Sequence, residues 1–269
     1  MLFCIGNVGL LTLPCVAIVG TRRATPYGER VTRELARALA AGGAVIVSGL
    51  ARGVDAVAHR GALDAGGLTI AVLGTGVDVA YPPSNRALQA EIGERGLLVS
   101  EEPPRSRAAP ASFPKRNRII AALARATIIV EAPAKSGALI TAEHAVDLNR
   151  TVAAVPGPID SPQSAGSNLL LRDCATAIAG IDDALALMGI VPASTSRVGA
   201  EPQTEAERAI LEALVAGPCD PDTLAARSGL PTRECLTALT TLELRGAVES
   251  DASGEVRASG VMMGRAPSR

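Results

Sequence analysis

CVAIVGTRRATPYGERVTRELARALAAGGAVIVSG, residues 15–49, reads as strand, helix, strand. CVAIVG (15–20) and AVIVSG (44–49) are short aliphatic runs with no polar alternation, the pattern of strands buried on both faces. Between them, 26–43 opens on Pro26, places Val31, Leu35, Ala38 and Leu39 at helical spacing, and stops at Gly42-Gly43. The alternation continues outward. A helix over 54–67 is followed by a strand over 68–76, then a helix capped by Ser84 that runs to about Ile92, then a strand over 96–101. Next come a helix over 113–126 opening at Pro114, a strand over 127–132, a helix over 138–150 and a strand over 151–157. Strands that alternate with helices predict an α/β class: a doubly wound, mostly parallel Rossmann-like sheet reaching from about Val16 to Leu187. In such sheets ligands sit at the rim formed by the C-terminal strand ends.

Residues 191–204 (VPASTSRVGAEPQT) are rich in small residues and Pro and read as a linker between a 1–190 domain and a compact second unit. That unit has helical patterns over 205–217, 221–230 and 231–246 and a hairpin over 247–258 turning at Ser253-Gly254. This is the order of a winged helix. A tail over 259–269 is expected to be disordered.

The chain of 269 residues has 48% hydrophobic residues but no Trp, two Phe and two Tyr, so its core must be aliphatic. Formal net charge is −1, which argues against gripping nucleic acid by bulk charge; any such site must be local. Residues 1–190 hold 18 Lys and Arg against 16 Asp and Glu, while 191–269 hold 8 against 11, so the second unit is the poorer DNA grip. Five scattered Cys without a CxxC pair, and only His59 and His144, suggest neither disulfides nor a metal centre. The opening MLFCIGNVGLLTLP lacks a basic start and is broken by Gly6 and Gly9. It reads neither as a signal peptide nor as a membrane span, and the chain is expected to be soluble and cytoplasmic.

The predicted rim carries Gly20-Thr21-Arg22-Arg23, Ser48-Gly49-Leu50-Ala51-Arg52-Gly53-Val54-Asp55, Gly74-Thr75-Gly76, Ser100-Glu101-Glu102, and Glu131 leading to Lys135-Ser136-Gly137. Glycines allow close backbone approach, and the helix starts beyond them offer unpaired N–H groups to phosphate. Any one of these loops can hold Gly merely to turn. Several together, with Arg or Lys beside them, predict a phosphate site. None is GxGxxG or GxxxxGK[ST], which disfavours a dinucleotide cofactor and a P-loop nucleotide, and no cofactor is expected. A second basic cluster, Arg105, Arg107, Lys115, Arg116 and Arg118, surrounds Phe113, with no acid between 103 and 130. An aromatic beside Arg suits base stacking with phosphate contact, although Phe113 serves equally well as core. His59 and His144 sit mid-helix without a nucleophile partner and read as structural.

The motifs VAIVGTRRATPYG, VSGLARGVDAVAHRGAL, TIAVLGTGVDVAYPPSN, LVSEEP, FPKRNRIIAALA, IIVEAPAKSGALITAEHA and AVPGPIDSPQSAGSNLLLRDCA follow one another in this order. Over roughly 2–187 they closely resemble the DNA-processing protein A family (DprA/Smf), and 205–258 is similar to the winged helix that ends many members. The resemblance implies a protein that binds and protects single-stranded DNA without strong sequence preference. It also implies loading of RecA recombinase during natural transformation, homodimer formation, and no enzymatic chemistry. Carried to this sequence, it implies DNA contacts by Arg22, Arg52 and the segment Phe113, Lys115, Arg116, Arg118, with Ser48, Gly49, Gly53, Lys135, Ser136 and Gly137 completing the site. Many relatives place a basic residue after the YP of the third motif, where this chain has Pro83; Arg86 is the candidate to replace it. The family usually begins with a helical domain, and LFCIGNVGLL resembles the segment just before its first core strand.

Two other readings compete. A nucleoside-monophosphate hydrolase of Rossmann-like fold would carry PGGxGTxxE where EAPAKSGALITAEHA stands. The loop lacks the double Gly and the Gly-Thr pair, and Glu131 and Glu143 have no evident acid–base partner. Alternatively the winged helix is the DNA reader. Its third helix balances Arg233 and Arg245 with Glu234 and Glu243, which suits a protein contact or duplex sensing better.

Overall fold

The computed structural model describes residues 1–190, 202, 204–244, 247–250 and 254–258. Most of the expected linker (191–204), the tail (259–269), Ser253 of the hairpin turn and Arg245 lie outside the described residues. The chain forms two units, Met1–Pro192 and Ala193–Arg269.

The large unit is built on an eight-stranded sheet of order β1-β5-β4-β3-β2-β6-β7-β8. Its strands are β1 (Phe3–Gly6), β2 (Cys15–Val19), β3 (Val45–Ser48), β4 (Thr69–Leu73), β5 (Leu97–Ser100), β6 (Ala126–Ile129), β7 (Thr151–Ala154) and β8 (Thr176–Ala177). Strands β2 to β8 pair in parallel. The six strands expected from the sequence are the six at the centre. The two edges are additions. In β1, Phe3 pairs antiparallel with Ser100 and Gly6 with Leu97. Neither edge strand carries the long buried aliphatic run that betrays a central strand.

The helices of this unit are α1 (Pro26–Ala41), α2 (Val54–Asp64), α3 (Arg86–Arg95), α4 (Ser112–Leu123), α5 (Gly137–Asp147), α6 (Ala165–Arg172) and α7 (Ile181–Leu187). Alternate strand residues feed two cores. Val16, Ile18, Ile46 and Ile128 pack with Leu35 and Leu39 of α1 and Ala58 of α2 on one face. Ala17, Val19, Val45, Val47 and Ile129 pack with Ile119 and Ile120 of α4 and Ala138 of α5 on the other. Both faces of β2, β3 and β6 are therefore covered, which is why 15–19 holds no polar residue.

Helix α1 starts as its sequence demands: Thr25 accepts the Gly28 N–H through its side chain, and Pro26 fills the first turn. Two expected helix starts are corrected. Ser84 does not cap α3. It lies in a 3-10 turn, Pro83–Asn85, and its hydroxyl donates to Asn85 Oδ1. Helix α4 begins at Ser112, so Pro114 sits inside the first turn, where its missing N–H costs no helical bond.

The second unit has α8 (Glu205–Leu214), α9 (Pro221–Ser228) and α10 (Thr232–Leu244), followed by antiparallel β9 (Val248–Ser250) and β10 (Val256–Ala258). Asp220 caps α9 and Gly229 ends it at φ 69°. Ile210, Leu214, Leu224, Leu239, Leu242 and Val256 form its own core. Among the described residues no helix is long and apolar enough to cross a membrane.

Candidate nucleic-acid interface

Chain order reverses between β2 and β6, which are neighbours in the sheet although three strands and four helices separate them along the chain. A crevice at such a switch point is geometrically unavoidable, because the connections leave β2 and β6 in opposite directions. An open cleft of about 510 Å³ lies there, lined from Gly20 to Arg22, by Ala51, Asp55 and Tyr81, by the start of α4 and by the start of α5.

The loop after β2 is held from behind. The Thr21 N–H donates to Glu131 O at 2.7 Å, and the Thr21 hydroxyl donates to Gln163 Oε1 at 3.0 Å. Glu131, buried beneath, accepts the Thr25 N–H at 2.9 Å and the Thr25 hydroxyl at 2.6 Å on its two oxygens. Gly28 makes room for that carboxylate: a Cβ there would come within 2.3 Å of Glu131 Oε2. Both Glu131 oxygens are thus engaged in fixing the Arg22 loop.

The loop after β3 is bolted to the first. Gly53 has φ 71°, and a Cβ on it would stand 2.4 Å from Thr21 O. Leu50, fully buried, sits at φ 55°, a left-handed conformation unusual for a leucine. Asn85 secures that turn by donating to Leu50 O at 3.0 Å and Ala51 O at 3.2 Å. Arg52 emerges from this loop exposed, as does Arg22 from its neighbour.

Beneath the cleft lie two buried opposite charges, Asp55 and Arg116, which influence each other without a direct ion pair. The Asp55 carboxylate accepts the Gly49 N–H at 3.2 Å and the Ala51 N–H at 3.3 Å. Arg116 donates to Gly49 O at 2.7 Å and to Val72 O. A Cβ on Gly49 would lie 2.4 Å from Arg116 Nη2 and 2.7 Å from Asp55 Oδ2, so glycine alone fits between them. Burial raises the Asp55 pKa while Arg116 opposes the rise. Burial brings Arg116 down to about 10, with Asp55 opposing and Arg22 adding to the fall, which leaves the guanidinium charged at neutral pH.

At the cleft mouth the Arg22 guanidinium stands over the Phe113 ring, 5.7 Å from its centroid, and Tyr81 meets Phe113 at 5.2 Å between centroids. Opposite, Ser136 caps α5 by accepting the Ala138 N–H. Asn117 ties α4 to α5 through a bond to Gly137 O at 3.1 Å. The site therefore presents a cation, an aromatic pair and the positive end of an 11-residue helix on one concave surface, suited to an anion bearing a flat ring.

The sequence-selected residues separate into groups. Arg22, Phe113, Ser136 and Gly137 line the cleft, and Arg116 forms part of its floor. Arg52, Gly53 and Lys135 lie in the loops beside it, with Arg52 and Lys135 exposed. Ser48 is fully buried and its hydroxyl donates to Ile18 O at 2.6 Å, so it braces β3 against β2 and its side chain reaches no ligand. The Gly49 N–H is already given to Asp55, so it is not a phosphate donor. Arg116 is 7% exposed and holds two backbone carbonyls; it organises the floor. Arg118 pairs with Glu101 at 2.5 Å, and Lys115 lies near Glu101 and Glu102, outside the set that lines the cleft. Arg86, the expected replacement for a base at Pro83, lines a separate groove of about 420 Å³ with Ile5, Val77 and Gln89. Tyr81, Asn85 and Asn117 were missed, and Asp55, which the sequence placed on the rim, lies on the cleft floor. Only Tyr81 carried a signal, as one of the four aromatic residues in the chain.

His59 is structural. Its Nδ1 lies 2.6 Å from the Thr69 hydroxyl, which itself donates to Ile46 O, so Nδ1 carries the proton. Burial, with Arg116 adding to it, lowers its pKa to about 3. The unfolded chain therefore binds a proton near pH 6.5 that the folded chain refuses. Stability from this group is present above pH 6.5 and is lost as pH falls toward 3, at about 1.4 kcal/mol per pH unit. His59→Asn, which keeps a donor toward Thr69, should flatten that slope in urea titrations run at pH 7, 6 and 5. An unchanged slope would show that the histidine is not its source.

Comparison with known proteins agrees with this architecture. The family model for DNA recombination-mediator protein A matches residues 1–189, and that for the DprA winged helix domain matches residues 194–254. The chain is 44% identical over 242 residues to the putative DNA processing protein DprA of Mycobacterium tuberculosis H37Rv, covering 87% of this chain and 61% of that protein. It is 36% identical over 265 residues to protein Smf of Escherichia coli K12, covering 95% of this chain and 71% of that one. The chain thus spans about six-tenths of the length of its mycobacterial relative. Among solved structures, DNA processing protein A of Streptococcus pneumoniae superposes with a TM-score of 0.67 at 44% identity, over 69% of this chain and 65% of that one. The Helicobacter pylori protein, described for its single-stranded DNA binding mode, gives a TM-score of 0.64 at 37% identity, over 70% and 86%. With its doubly wound sheet, winged-helix unit and ordered motifs, the chain belongs to the DNA recombination-mediator protein A family.

Proposed function

We propose that the cleft between β2 and β6 binds single-stranded DNA with little sequence preference, and that the chain is a recombination mediator without chemistry of its own. The observation that carries this reading is the convergence of Arg22, the Phe113–Tyr81 pair and the capped start of α5 on one open concave surface. Arg22, Arg52 and Lys135 meet phosphates, the aromatic pair presents a ring to the bases, and Gly53 and the floor residues hold the loops in place. An open cleft with a cation on one wall and a ring on the other suits a flexible strand better than a rigid duplex. By family resemblance the bound strand is protected and passed to RecA recombinase during natural transformation, by a homodimer. The winged-helix unit then serves a protein contact, in keeping with Glu234 beside Arg233 at the exposed start of α10.

Fluorescence anisotropy with a labelled oligothymidine tests the reading. Three or four phosphate contacts give a log–log salt slope of roughly −2 to −3. Arg22→Ala and Arg52→Ala each weaken binding to all sequences alike and flatten the slope by about 0.7. Equal affinity for single strand and duplex would refute the proposal. Release of free base from nucleoside monophosphates would replace it with the hydrolase reading, for which Glu131 would first have to leave Thr25.

A further inference from the structure

Phe113 is less available than its place in a basic segment suggests. Its ring is crowded from three directions. Arg22 stands over it at 5.7 Å, Tyr81 meets it at 5.2 Å with a 34° tilt, and a Cβ on Gly74 would come within 2.8 Å of its Cδ1. Tyr81 is 40% exposed and lines the same cleft. A base needs an open ring face, and stacking on Phe113 would first require Arg22 or Tyr81 to move aside. We propose that Tyr81 is the platform on which a base of the bound strand stacks, and that Phe113 is the pedestal that orients it. The proposal rests on the single-strand reading of the cleft. It divides the work chemically: Arg22 keeps its charge for a phosphate while its guanidinium covers Phe113, and Tyr81 presents a ring to the base.

The composition supplies the readout. With no Trp, ultraviolet emission comes from Tyr27 and Tyr81 alone. Tyr27 is engaged elsewhere, donating to Pro156 O at 3.0 Å beneath the Arg30 guanidinium. Titrating the full chain with a thymidine 12-mer should quench tyrosine emission. Tyr27→Phe should keep the quenching. Tyr81→Phe should abolish it while holding affinity within about twofold, because the ring remains. Tyr81→Ala should weaken binding to the 12-mer by about five- to 150-fold. The same variant should bind an abasic sugar-phosphate 12-mer as the wild type does, since no base is there to stack. Phe113→Leu, which keeps an apolar support, should lose less affinity than Tyr81→Ala. Wild-type affinity in Tyr81→Ala would overturn the proposal, as would equal losses on the thymidine and abasic ligands. If the unaltered protein fails to bind the thymidine 12-mer, the single-strand reading itself falls. Binding without quenching removes only the role of Tyr81.

Discussion

Arg116→Met is expected to destabilise the large unit by about 3–5 kcal/mol, the usual cost of leaving a buried charge without its neighbouring opposite charge. Asp55 would stay behind, buried and without its cation, and the carbonyls of Gly49 and Val72 would lose their donor. For a unit of this size the midpoint of thermal unfolding should fall by roughly 6–20 °C. The double variant Arg116→Met with Asp55→Asn should recover part of that loss. The carboxamide oxygen still accepts from Gly49 and Ala51, and no lone charge remains buried. Circular dichroism on heating and in urea measures both. If Arg116→Met melts like the wild type and loses DNA affinity instead, Arg116 is a direct contact and the assignment to the floor is wrong.

Gly53→Ala is expected to damage the site itself. A side chain at φ 71° costs about 1–3 kcal/mol in backbone strain, and the new Cβ would press on Thr21 O from 2.4 Å and on the Arg22 carbonyl carbon from 2.8 Å. Relief must come from movement of the loop that presents Arg22. Losing one charged hydrogen bond to phosphate, about 1.5–3 kcal/mol, corresponds to a fall in single-strand affinity of roughly ten- to 150-fold. Gly66→Ala is the control: its φ is 72° and nothing lies within 4 Å of the added Cβ. Equal stabilities and equal affinities for the two variants would show that the close approach to Thr21 does not matter.

These expectations differ from what the residue types alone suggested. The segment 113–118 reads as a basic stripe with one aromatic, and every cation in it looked equivalent. A helix separates them. Lys115 and Arg118 are turned toward the carboxylates after β5, Arg116 toward the sheet, and Phe113 toward the cleft. The glycines misled in a related way. Gly49 and Gly53 were assigned to ligand approach. Gly49 instead accommodates the two buried charges, and Gly53 accommodates a neighbouring strand's loop. Glycine signals a close approach but not what approaches.

What the sequence by itself determined is the layered α/β architecture, its six central strands, the winged-helix order of the second unit and the loops at the C-terminal rim of the strands. All of these follow from periodicity and from local turn and capping chemistry, which act over a few residues. Edge strands β1 and β8 escaped because neither is fully buried, so neither carries the continuous aliphatic run of a central strand. The tertiary structure alone decided which charges are free. Asp55 and Arg116 are 61 positions apart, and the loop of Arg22 and the Glu131 that fastens it are brought within hydrogen-bond reach by the pairing of β2 with β6. Whether a cation meets solvent or a buried carboxylate depends on packing between distant elements, and that packing leaves at the cleft Arg22 and a tyrosine that composition marked only as rare.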